Sequence, residues 1–161
     1  MKLIKSVLLL ILLSSTFTLL SQDNVDLTTQ RTKDLYDKIN QKDIAGALKI
    51  IDPNCVDHMP FVPNQKPGPE GFRQIIEILF KSFPDFNQSI VDIIVSPDGK
   101  KSCVLATMTG TNSGDFMGMP ATNKKVSVFV SDIFHFENGK VTDHWGFIDS
   151  ETLMQQLGMS K

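Results

Sequence analysis

Cysteine, histidine, tryptophan and tyrosine are scarce in this chain of 161 residues, which has two Cys, three His, one Trp and one Tyr. Two cysteines, Cys55 and Cys103, cannot supply a disulfide framework, so the fold must rest on an apolar core. Two buried thiols acting as small hydrophobes are expected, with a bridge between them as the alternative. No Cys-x-x-Cys or His-x-x-x-His spacing occurs, and a structural metal site has no support. Excess positive charge is also missing: 16 Lys and Arg face 18 Asp and Glu, for a net charge of −2. Without a basic cluster the sequence argues against a nucleic-acid partner or an anionic lipid surface. Internal repeats and low-complexity segments are absent, and the length suits one modest domain.

A long hydrophobic run occurs only at the start of the chain. Lys2 and Lys5 precede an uncharged stretch from Ser6 to Gln22 whose centre, Val7 to Leu13, is wholly aliphatic, followed by Ser14, Ser15, Thr16 and Thr18. This order of basic, apolar and small polar residues is that of a secretory signal peptide over residues 1–21, with cleavage expected near Ser21. The alternative is an uncleaved N-terminal membrane anchor, although the stretch is shorter than the roughly 20 apolar residues of a usual span. Loss of residues 1–21 removes Lys2 and Lys5, so the exported domain, residues 22–161, is more acidic than the whole chain, and no stable membrane span is expected after cleavage.

Periodicity sets the order of elements after that. Leu35 and Ile39 suit a helix over 28–40, and Asp43 caps a second helix expected to run to Ile51, where Asp52-Pro53 stops it. Residues 55–62 suggest a short extended segment, and the Pro- and Gly-rich stretch 63–69 a loop. Phe72, Ile75, Ile76, Leu79, Phe80 and Phe83 form a broad stripe on a third helix that begins at Pro69. From Asn87 the spacing becomes that of strands. Residues 90–95 and 102–111 pair across Ser96-Pro97-Asp98-Gly99, and 126–136 and 141–148 across Asn138-Gly139. A short helix, 150–157, ends at Gly158. Helices first and an antiparallel meander afterwards make the class α+β.

Several ordered motifs then carry a resemblance. They are Asp57-His58, Phe83-Pro84-Asp85, Gly110-Thr111, Gly114-Asp115-Phe116-Met117-Gly118-Met119-Pro120, and Gly139-Lys140-Val141 leading to His144-Trp145, Asp149 and Gln156-Leu157-Gly158. Over about residues 28–159 the chain resembles the SnoaL-like polyketide cyclases, or ester cyclases, of the nuclear transport factor 2-like (NTF2-like) superfamily. The resemblance implies a cone in which a bent antiparallel sheet wraps three to four helices around an apolar pocket. It implies a small hydrophobic ligand, no cofactor, and an acidic residue that acts as general acid/base in an intramolecular aldol closure. In that family the last strand carries Asp-His-Arg-Asp-Trp-Pro-Asp with the middle Asp catalytic. The matching stretch here runs from Asp143 to Asp149, which puts Gly146 at the catalytic position, and Asp132 stands where the preceding strand has an assisting His.

Strand parity gives an independent view. Val126, Val128, Val130, Phe134 and Phe136 share one face of their strand with Asp132, which is therefore expected to point into an apolar interior, where a carboxyl group can exchange protons. A two-residue turn at Asn138-Gly139 places Val141, Asp143, Trp145, Phe147 and Asp149 on that face. A bulged turn at Gly139 places Thr142, His144, Gly146 and Ile148 there instead, and a bulge at Gly146 would flip parity partway and let His144 and Asp149 share a side. The candidate catalytic residues are thus Asp132, His144 and Asp149, with N-capping of the last helix as the alternative role of Asp149. His58, Phe134, Trp145 and Gly146 are the candidate ligand contacts. The functions these support are cofactor-free cyclisation or isomerisation of a small hydrophobic molecule, exported ligand binding without turnover, or homodimeric interaction through the outer sheet face that carries Phe129 and Ile133.

Overall fold

The computed structural model of the chain describes residues 2–159, with side chains described from Ser21 onward. Helix α1 (Lys2–Asn40) continues unbroken through the expected cleavage point near Ser21. Its buried stripe is Thr28, Thr32, Leu35 and Tyr36, at spacings of four, three and one. The two threonines let this part of α1, which is poor in apolar residues from Gln22 onward, dock closely on the sheet. The Thr28 hydroxyl donates to the Gly99 carbonyl, and Thr32 Oγ1 donates to the Thr28 carbonyl at 2.8 Å and lies 3.0 Å from Ser102 Oγ.

Asp43 caps α2 (Ile44–Leu48) by accepting from the Gly46 amide at 2.8 Å, as its position predicts. The helix ends three residues before the expected limit because Ile51 already opens β1 (Ile51–Asp57) and pairs with Val141. Proline disfavours a helical conformation in the residue before it, which draws Asp52 into the strand. Helix α3 (Gly68–Ser82) turns in at Gly68, whose φ is +64° and where a Cβ would lie 2.3 Å from the Pro53 carbonyl oxygen; only glycine fits.

Strands β2 (Asn87–Val95), β3 (Lys101–Thr111), β4 (Lys125–Glu137) and β5 (Lys140–Ile148) form the expected meander, and α4 (Ser150–Leu157) closes it. The sheet order is β1-β5-β4-β3-β2. Four strands are antiparallel, but β1 adds to the β5 edge in parallel, so the sheet is mixed rather than purely antiparallel. It remains open, bent around its helices, and Val104, Ala106, Met108, Val126, Val128 and Phe134 are buried on its concave face. Among the described residues no helix is long and apolar enough to cross a membrane. Cys55 is buried as expected, with burial pushing its thiol up to about 12, whereas Cys103 is exposed on the outer face; both are free.

The β4–β5 hairpin decides which residues face inward. Asn138 and Gly139 both have positive φ, 51° and 72°, and Glu137 pairs with Lys140, which is the two-residue turn. Phe136 then pairs with Val141 but His135 with Asp143, leaving Thr142 as an extra residue. That bulge inverts parity. His144, Gly146 and Ile148 join Asp132 inside, and Asp143 and Trp145 turn outward. The turn of the first alternative therefore coexists with the facing of the second, because the bulge lies at Thr142 and not at Gly139.

Gly110 of β3 lies against Phe83, which is fully buried: a Cβ there would be 3.0 Å from Phe83 Cβ. Gly110→Ala should overpack this contact and lower stability by about 1–3 kcal/mol in urea unfolding.

Candidate functional site

Asp132 of β4 stands directly across from Gly146 of β5, and His144 across from Phe134. His144 Nε2 lies 3.0 Å from Asp132 Oδ1, and Tyr36 of α1 donates its hydroxyl to Asp132 Oδ2. On the other side of the imidazole, Nδ1 is buried 3.3 Å from Asp57 Oδ1, close enough for charge pairing but not aligned into a hydrogen bond. Asp57 sits there because β1 runs parallel to β5 with Asp57 paired to His144. Its second oxygen accepts from Gln65 Nε2 at 2.6 Å, and its first from the Met59 amide at 3.1 Å.

The result is an Asp57–His144–Asp132 row backed by Tyr36. His144 is only 8% exposed. Burial by itself drives the imidazole towards neutrality, but the two flanking carboxylates outweigh it and raise its pKa to about 9. For Asp57, burial works upward and is outweighed by His144, Gln65 and the Met59 amide, so its carboxyl is held below the usual range. Burial first, and the adjacent Asp132 next, push the Tyr36 hydroxyl far up, fixing it as a donor. Phe134 stacks on the imidazole at 5.1 Å and 21°, and Phe72 tilts against it at the same distance. A charged His144 with two carboxylates gives the row a formal charge of −1. Asp132, whose two oxygens receive one donor each, keeps further lone pairs for a proton.

The row opens into a cleft of about 130 Å³ with apolar walls that include Ile75, Leu79, Met108 and Val130, and with Met59 and Phe61 also lining it. Larger hollows of about 500, 410 and 320 Å³ lie elsewhere on the surface, but none contains a His–carboxylate constellation. Among the described residues no cluster of His, Cys, Asp and Glu converges as a metal ion requires.

The structure brings together Asp132, His144 and Gly146, with Phe134 supporting the imidazole from behind. It does not bring in Asp149. That carboxylate caps α4, accepting from the Thr152 amide at 3.0 Å and the Thr152 hydroxyl at 2.7 Å. Nor do His58 and Trp145 reach the cleft, since the Thr142 bulge sends Trp145 outward. There the two rings stack at 4.1 Å and 4°, and His58 Nε2 meets Asp143 Oδ1 at 2.9 Å. Sequence patterns single out neither Asp57 nor Tyr36 of the row, nor Gln88, which also lines the cleft. Asp57 precedes His58 and would have been found from strand alternation once β1 was placed beside β5, but that parallel pairing has no local signal.

Gly146 explains how the row fits. A Cβ at this position would lie 3.0 Å from His144 Cε1 and 3.4 Å from Asp132 Oδ1. The space of a side chain on β5 is thus taken by the imidazole and by the carboxylate of the paired strand.

The SnoaL-like polyketide cyclase family matches residues 29–157. The chain belongs to this family. Aklanonic acid methyl ester cyclase DnrD of Streptomyces peucetius is 25% identical over 111 residues, covering 69% of this chain and 73% of that protein. The structure of TsrD from Streptomyces laurentii superposes with a TM-score of 0.75 at 26% identity, over 84% of this chain and 97% of TsrD. A SnoaL-like polyketide cyclase of Agrobacterium tumefaciens shares the fold, with a TM-score of 0.68 at 19% identity over 81% of this chain and 98% of that one. The NTF2-like cone is therefore the architecture of this SnoaL-like protein, and cyclase or ligand-binding function is what the family supports. Gly146, where the resemblance places the family's acid, stands directly across the ladder from Asp132.

Proposed function

We propose that this SnoaL-like protein performs cofactor-free acid/base chemistry on a small hydrophobic molecule, an aldol cyclisation or an isomerisation, with Asp132 as the group that takes up and returns the proton. The observation that carries it is Asp132 at the cleft, held from behind by the His144 imidazole and the Tyr36 hydroxyl. A C–H beside a carbonyl gives its proton to a carboxylate oxygen, and the electron pair moves into the enolate. In an aldol closure that carbon bonds to a second carbonyl carbon, whose oxygen takes a proton; in an isomerisation the proton returns at another carbon. Gly146, at the family's acid position, favours a second reading, in which the cleft binds its ligand without turnover. The two are separated by deuterium exchange at C2 of methyl acetoacetate, followed by NMR. Saturable acceleration above buffer supports proton transfer, and binding without acceleration overturns it.

Two features outside the cleft bear on where and how the domain works. The Lys2–Lys5 and Val7–Leu13 pattern supports export, with the domain acting outside the cytoplasm. On the outer sheet face, Leu105 and Phe147 flank Ser131 in one cross-strand row, while Ile94 is 66% and Phe129 56% exposed. This apolar face supports a homodimer. Solution scattering should give twice the monomer mass, and Phe129→Lys should halve it; a monomeric parent overturns the dimer.

A further inference from the structure

Gln88 of β2 is paired with Met108 of β3, whose side chain is buried on the concave face, so Gln88 points to the same side and lines the cleft. Its main chain is held at both ends by one residue. Asn40 Oδ1 accepts the Gln88 amide N–H at 2.8 Å, and Asn40 Nδ2 donates to the Gln88 carbonyl at 2.8 Å. This clamp ties the end of α1 to β2 and fixes where the side chain starts. The Gln88 carboxamide itself makes no hydrogen bond among the described residues, although every other polar side chain of the cleft is engaged.

A count of donors shows what it is free to do. Asp57 and Asp132 offer only acceptor oxygens as carboxylates. The His144 nitrogens face Asp132 and Asp57, and Nδ1 is sealed from the cleft. Among the side chains lining the cleft, the Gln88 NH₂ is the one donor not already committed. Proton abstraction next to a carbonyl moves negative charge onto the carbonyl oxygen, and a positioned donor lowers the energy of that charge in a site shielded from water. The row's formal charge of −1 repels an anionic ligand, so the oxygen that Gln88 meets belongs to a neutral molecule.

We infer that Gln88 is the substrate-reading donor of the cleft, hydrogen-bonding a carbonyl oxygen of a neutral, mostly apolar compound whose adjacent C–H faces Asp132. The inference rests on the acid/base reading of Asp132. On deprotonation the electron pair passes from the C–H bond into the enolate, the Gln88 N–H holds the enolate oxygen, and the proton resides on Asp132 until it returns to carbon.

The test compares acetophenone with ethylbenzene, which have nearly the same shape and differ by the carbonyl oxygen. Binding to the full chain is read from amide chemical shifts of Val130 and Gly146. Gln88→Leu should weaken acetophenone about 3- to 10-fold, the worth of one neutral hydrogen bond, and leave ethylbenzene within about 2-fold. Gln88→Glu, which keeps the length but offers only acceptors when ionised, should lose the same preference. Equal effects on both probes, or none on either, overturn the role of Gln88 while leaving the cleft and Asp132 in place. Failure of both probes to shift the cleft amides overturns the ligand-binding cleft together with Gln88.

Discussion

Asp132→Asn should slow deuterium exchange at C2 of methyl acetoacetate by roughly two to four orders of magnitude, the usual contribution of a positioned general base. Asn keeps the shape of Asp and can still accept a hydrogen bond through its amide oxygen, so the Tyr36 contact has a partner in the variant. What disappears is the charged oxygen that takes the proton. The imidazole also loses one of the two carboxylates that hold it charged, so the His144 titration should move down from about 9. NMR titration of the three histidines reads this separately from turnover. An exchange rate equal to that of the parent, in a folded variant whose His144 has shifted, would remove Asp132 from the chemistry and leave it a structural partner.

His144→Ala acts on stability, and its sign depends on pH. In the parent the folded-state pKa of His144 lies above its unfolded value of about 6.5. Its contribution is therefore fully present below about pH 6.5 and is lost as pH rises through about 9. Asp57, with its pKa lowered in the fold, contributes above its unfolded value, and that part is lost on acidification. Between these limits the variant leaves the half-buried Asp57 and Asp132 without their cation, which costs about 3 kcal/mol, the lower end of the range for breaking a buried pair. Two carboxylates left facing one cavity bind protons more readily folded than unfolded, so the variant should recover stability as pH falls from 7 to 5. Urea unfolding at pH 5, 7 and 9.5 measures this. The parent should lose stability between pH 7 and 9.5, and the variant should lack that step. A variant as stable as the parent at pH 7 would mean that water, and not His144, compensates the charge of Asp57 and Asp132.

Much of the fold follows from local patterns. Phe72, Ile75, Ile76 and Leu79 mark α3, alternation from Val126 to Phe136 marks β4 and its inward Asp132, and Asn138-Gly139 names its own turn, because each depends only on residues a few positions apart. The ordered motifs from Asp57 to Gly158 carry the family, and the apolar start of the chain carries the expectation of export. The sequence by itself thus determined the elements, their order, the family and one inward carboxylate. Tertiary structure decided the site. A single extra residue, Thr142, turns His144 in and Trp145 out, and nothing in the composition of β5 marks it, since both faces of that strand mix polar with apolar residues. Asp57 and Tyr36 reach Asp132 and His144 only because β1 joins the far edge of β5 in parallel and α1 crosses the concave face. Those contacts join positions 87 and 96 residues apart, beyond the reach of any local pattern. The scarcity of His and Tyr hid this as well, because a lone ring gives no motif until a fold supplies its partners.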